Sequence, residues 1–160
     1  MQIVDRTIYV TKYVGGKTNI DAFQSGDKKQ EGLTNLLQGR LGAHDNFLLT
    51  GMRVTSAKVE DATEANWEEK IKDADFGKLD PAIANGEYAM LNEQTNYSDE
   101  NASSCFKYAF NENSDGIYIL ENPKLFKRNK SVKVNFKFAG APAAGTIMRV
   151  ELIGVMTVQK

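Results

Sequence analysis

The segment Val132-Lys133-Val134-Asn135-Phe136-Lys137-Phe138 alternates apolar and polar residues without a break. Successive side chains of a strand point to opposite faces, so the segment has one apolar and one polar face only if it is extended. Wound as a helix, it would scatter the two valines and two phenylalanines around the axis. It therefore predicts a half-buried strand in a sheet covered on one side. Ala139 to Gly145, with Pro142 and two glycines, then turns the chain. From Thr146 to Val158 the sequence is long and β-rich. Met148, Val150, Leu152, Met156 and Val158 fall on one face, and Ile147, Arg149, Glu151, Ile153 and Val155 on the other. Its second half is apolar on both sides, which places it in the middle of a sandwich or against a neighbouring subunit.

The rest of the chain has the same character. Arg6 to Val14 is almost entirely β-branched or aromatic and reads as a strand ended by Gly15-Gly16. Lys17 to Glu31 is polar and reads as a loop or extended arm. Leu33, Leu36, Leu37 and Leu41 stand at helical spacing between glycines and predict a short helix or turn. Phe47 to Val59 is a second strand region with Gly51 as a bulge. Between Asp61 and Gly77 the spacing of Trp67, Ile71 and Ala74 predicts a helical insertion, capped by Asp61 or Thr63, closed by Gly77 and anchored by Trp67. Pro81 precedes a short strand over Glu87 to Asn92, and Glu93 to Ser104 is a polar surface loop. Phe106, Tyr108 and Phe110, then Ile117 to Leu120, predict two adjacent strands joined by a short connection.

About seven short strands with one helical insertion predict an all-β, two-sheet antiparallel sandwich. Several connections are long, which favours Greek-key or jelly-roll wiring over an up-and-down barrel. The 160 residues suffice for one domain. Residues 1–160 are read as that domain, with 1–31 forming a first strand and a flexible arm.

Catalytic equipment is not legible. His44, the only histidine, is adjacent to Asp45, and consecutive side chains diverge in extended backbone, so the two form no acid/base pair. No nucleophile motif, phosphate-cradling loop, dinucleotide fingerprint or zinc-ligand spacing occurs, and the chain is read as no enzyme, with no catalytic, cofactor or metal residues. The acidic, Asn-rich runs Asp99-Glu100-Asn101 and Asn111 to Asp115 lack the spacing of a calcium loop. A net charge of -1 gives no global attraction to nucleic acid or membrane. The one dense basic cluster, Lys124, Lys127, Arg128 and Lys130, reads as a solvated loop, and its neighbours Phe136 and Phe138 belong to a core face rather than to a base-stacking platform. Cys105 is the single cysteine, so no intrachain disulfide forms. The three Asn-Xaa-Ser triplets at Asn96, Asn101 and Asn129 read as chance matches. Met1 to Gly16 contains Asp5, Arg6 and Lys12 and no apolar run, which predicts neither signal peptide nor membrane span, and synthesis in the cytoplasm.

Three segments carry a family likeness: Phe47-Leu48-Leu49-Thr50-Gly51-Met52-Arg53-Val54, Ile119-Leu120-Glu121-Asn122-Pro123, and Met148-Arg149-Val150-Glu151-Leu152-Ile153-Gly154. Through them, Gly86 to Lys160 resembles the C-terminal half of bacteriophage virion proteins with single or double jelly-roll capsid subunits. The resemblance implies a capsid subunit that works by self-assembly in the virion. Its partners would be other copies, as trimers or pentamers, and other virion proteins. The residues expected at the subunit interface are Ile8, Tyr9, Val10, Tyr13, Trp67, Ile153 and Val155. For the N-terminal ones the alternative is an ordinary first strand of the domain's own sheet. The rival function is a β-sandwich binding module presenting Trp67, Tyr97, Tyr108 or Tyr118 to a carbohydrate or host receptor.

Overall fold

The computed structural model of the protein describes residues 2–27, 29–77, 79–91, 105–109 and 117–158. Its strands are β1 (Gln2–Tyr13), β2 (Asn19–Asp21), β3 (Asn46–Lys58), β4 (Glu87–Leu91), β5 (Cys105–Ala109), β6 (Ile117–Phe126), β7 (Lys133–Lys137) and β8 (Thr146–Val158). They form two four-stranded sheets with the orders β1-β8-β3-β6 and β2-β7-β4-β5. Every neighbouring pair is antiparallel. The pairing is nested: β1 with β8, β2 with β7, β3 with β6 and β4 with β5. The protein is thus an all-β, two-sheet antiparallel sandwich.

The alternations read from sequence become the two inner walls. Val132, Val134, Phe136 and Phe138 are all buried, as are Met148, Val150, Leu152 and Met156 on β8. Facing them in the same core are Ile8 and Val10 of β1, Phe47, Leu49, Met52 and Val54 of β3, Phe126 of β6 and Tyr88 of β4. Tyr88 and Phe136 sit opposite one another in the β4–β7 ladder with ring centroids 6.0 Å apart, a tilted cross-strand aromatic pair. The bulge expected at Gly51 is present: the register of β3 shifts between Leu49 and Gly51 against both β6 and β8.

Of the short helix or turn expected over Leu33 to Leu41, the structure has the turn: the segment holds the 3-10 turn Leu37–Gly39, within which Gln38 and Gly39 have φ of +54° and +66°. Tertiary bonds select it, because Thr34 bridges Val10 and its hydroxyl donates to the Tyr9 carbonyl, drawing the segment alongside β1. Two other local expectations are corrected. The insertion over 61–77 contains only α1 (Trp67–Lys70) and a 3-10 turn at Ile71–Asp73. Asp61 has φ +67° and caps nothing; the helix begins after Asn66, whose side chain instead ties the Thr63 N–H and the Asp61 carbonyl together. Gly77 closes no helix but bridges Ser56 of β3. Finally, β5 and β6 are not ladder partners. They lie at the edges of different sheets.

A second single-turn helix, α2 (Pro81–Ala84), was not legible. Pro81 occupies its first turn, where the missing N–H costs nothing, and the Asp80 carboxylate accepts from the Ala82 N–H.

Candidate functional site

The surface that distinguishes this sandwich is the outer face of the β1-β8-β3-β6 sheet. Its rows follow from the ladder register. From one end to the other they are Tyr13–Ile147–Ala57, Thr11–Arg149–Thr55, Tyr9–Glu151–Arg53, Thr7–Ile153–Gly51–Ile119, Asp5–Val155–Leu48–Leu125, and Ile3–Thr157–Asn46.

The chain covers the first of these rows itself. Trp67, Ala74 and Phe76, from the 61–77 insertion, pack on a small apolar cluster of Tyr13, Val59, Ala62 and Ile147. The Tyr13 hydroxyl accepts the Gly145 N–H at 3.0 Å and reaches the Ala62 carbonyl at 3.4 Å. Next to it, the Arg149 guanidinium stands 4.1 Å over the Phe76 ring and 5.9 Å from Tyr9, and its Nε donates to Thr11 Oγ1, a cation held on an aromatic face.

The far rows carry no such cover among the described residues. Of the five exposed large apolar side chains among the described residues, four lie on this face: Ile3 (69% exposed), Ile119 (71%), Leu125 (41%) and Leu48 (37%). Leu48 is paired in register with both Leu125 and Val155, and Gly51 with both Ile119 and Ile153. They therefore form adjoining stripes across three strands rather than scattered single residues. Between the covered and uncovered ends, Arg53 keeps a buried Nε with no hydrogen-bond partner among the described residues. A shallow pocket of about 330 Å³ opens on the β1–β8 side of this face, lined by Thr7, Tyr9, Glu31, Gly32, Arg149 and Glu151.

The residues expected at an interface separate into two groups. Ile8, Val10 and Tyr13 are buried inside this chain's own core clusters, so they are corrected from a partner surface to the domain interior. For Ile8 and Val10 the reason is register: β1 pairs with β8 along its whole length, and its even-numbered side chains face the second sheet; Tyr13, on the outer face, is instead covered by the 61–77 insertion. Tyr9, Trp67, Ile153 and Val155 are part-exposed. Ile153 and Val155 lie within the apolar stripes, whereas Trp67 belongs to the cover at the other end. Sequence reading missed Ile3, Leu48, Ile119 and Leu125; the advance signal for Ile3 and Leu48 was the two-sided apolar character of the last strand, which β1 and β3 flank.

No family model, curated protein or solved structure matches this chain. The candidates of other chemistry are dispersed. His44 is exposed ahead of β3. Lys127, Arg128 and Lys130 form the β6–β7 loop, which is fastened to the 39–46 segment: Arg128 N–H donates to Asn46 Oδ1, Leu41 N–H to the Lys130 carbonyl, and Val132 N–H to the Gly39 carbonyl. Tyr97, Asp99, Glu100, Asn101 and Asn111 to Asp115 lie outside the described residues. Among the described residues no three His, Cys, Asp or Glu side chains converge as metal ligands, and no helix is long and apolar enough to cross a membrane.

Proposed function

We propose that this chain is a jelly-roll capsid subunit of a bacteriophage virion, made in the host cytoplasm and acting through contacts with other copies and other virion proteins. The observation that carries this reading is the nested order of the eight strands, first with last and so inward, divided as β1-β8-β3-β6 and β2-β7-β4-β5. That is the order obtained when one long antiparallel hairpin is rolled into two facing sheets, the wiring of jelly rolls, a group that includes viral capsid domains. The sequence resemblance to virion subunits agrees with it. The second support is the end of the outer face that no described residue covers, where Leu48, Leu125, Ile119, Ile153 and Val155 supply apolar area for a neighbour to bury. On this reading the sandwich is a rigid block and its chemistry is recognition.

The test is the assembly state of the full chain. Purified protein imaged by electron microscopy and weighed by mass photometry is expected to form closed oligomers or shells. A chain that remains monomeric at high concentration and is retained on a glycan array would overturn the proposal in favour of a binding module.

A further inference from the structure

The β1 edge of the first sheet is guarded along half its length. The Asn35 side chain bonds the Thr7 carbonyl and the Tyr9 N–H, Thr34 Oγ1 donates to the Tyr9 carbonyl, and the Thr11 N–H donates to the Leu33 carbonyl. These bonds also fix direction. Odd-numbered residues of β1 turn their backbone groups outward, and even-numbered ones turn theirs toward β8, in a register that runs unshifted from Gln2 to Tyr13. Ile3 and Asp5 therefore present outward N–H and C=O groups, and no described residue pairs with them. An open strand edge of this kind is a template for another strand.

We infer that this open stretch pairs antiparallel with the same stretch of a second copy about a two-fold axis at Val4, joining two first sheets into one continuous sheet. The inference deepens the assembly reading and rests on it for the identity of the partner. Self-complementarity argues for a second copy. With Val4 opposite Val4 of the second copy, Ile3 stands opposite Asp5 of that copy and Asp5 opposite its Ile3. Each such pair exchanges two backbone hydrogen bonds, about four in all. On the inner face the half-buried Val4 side chains meet, and each exposed Arg6 lies across from a Gln2 amide able to accept from it. The net charge of -1 leaves no long-range repulsion between copies. Pairing over five residues buries less than the roughly 800 Å² per partner of a standard stable interface. The contact is therefore weak in dilute solution and closes at two copies, leaving the apolar outer face as a separate contact.

Amide hydrogen exchange of the full chain reads this contact directly. The Val4 and Arg6 amides are protected by β8 at any concentration. The Ile3 and Asp5 amides are expected to gain protection by at least roughly tenfold between about 10 μM and about 1 mM. Asp5→Pro and, separately, Ile3→Pro remove only an outward N–H and leave the ladder to β8 intact; each is expected to abolish the concentration-dependent protection at the remaining outward amide. If the chain self-associates while Ile3 and Asp5 exchange freely, the edge pairing is overturned and the assembly reading stands. A chain that stays monomeric at all concentrations overturns both.

Discussion

Gly154 of β8 crosses Leu48 of β3 so closely that a Cβ there would run into the Leu48 carbonyl oxygen and stand 3.1 Å from the Leu49 Cα. The approach occurs at the β3 bulge, where the Thr50 hydroxyl also donates to the Ile153 carbonyl. Backbone, unlike the far end of a flexible side chain, has nowhere to move. Gly154→Ala is therefore expected to lower stability by about 3 kcal/mol, or to prevent folding, through overpacking alone. Urea unfolding followed by far-UV circular dichroism measures it; a midpoint unchanged from wild type would contradict the close approach.

Phe136 is fully buried at the centre of the core against Tyr88. Its replacement by alanine is expected to cost about 3–5 kcal/mol from lost burial and the cavity left behind. Lys137, next along the strand on the exposed face, is the control: Lys137→Ala is expected to change stability by less than about 0.5 kcal/mol. Equal effects in denaturant titrations would show that the strand's two faces are not inside and outside as described.

The cover over the Tyr13–Ile147 row depends in part on Arg149 lying 4.1 Å over Phe76. A double-mutant cycle of Arg149→Ala and Phe76→Ala is expected to give a coupling energy of about 0.5–1 kcal/mol. Trp67, the only tryptophan and part of the same cover, reports on it: both single variants are expected to shift its fluorescence toward the solvent-exposed range. Strict additivity with unchanged emission would remove the stacking from the cover.

Deleting residues 1–14 takes away Ile8, Val10 and Val14, all buried in the main core, together with the ladder partner of β8. The truncated chain is expected to lose its cooperative thermal transition rather than to persist as a folded monomer. A folded truncated domain would show that β1 is an arm and not a wall of the sandwich.

Asp80 shows what the sequence left open at the local scale. Its carboxylate caps a four-residue helix beginning at Pro81, and Asp-Pro reads equally well as a turn ahead of a strand. The arrangement is settled by burial of Ile83 and Ala84 in the main core. Asp80→Ala is expected to cost about 1 kcal/mol in thermal or urea unfolding. The leucine-rich segment shows the converse. Its helical spacing was real in the sequence, but Leu36 and Leu41 reach the core from turns while Leu37 faces solvent.

Strand identity in this protein is a property of sequence. The alternation over 132–138 and the two-faced run over 146–158 each permit one periodicity, because only an extended chain sorts those residues by burial. The bulge glycine and the absence of any histidine pair were equally visible. Register was not. Leu48, Leu125 and Val155 are far apart along the chain, and only the pairing of β3 with both β6 and β8 makes them one stripe. The same holds for β1, whose alternation allows it to be an arm or a wall until its ladder with β8 turns Ile8 and Val10 inward. A one-residue slip of a strand exchanges its faces, so what is buried and which side chains share a face were decided by non-local hydrogen bonds that no single segment encodes.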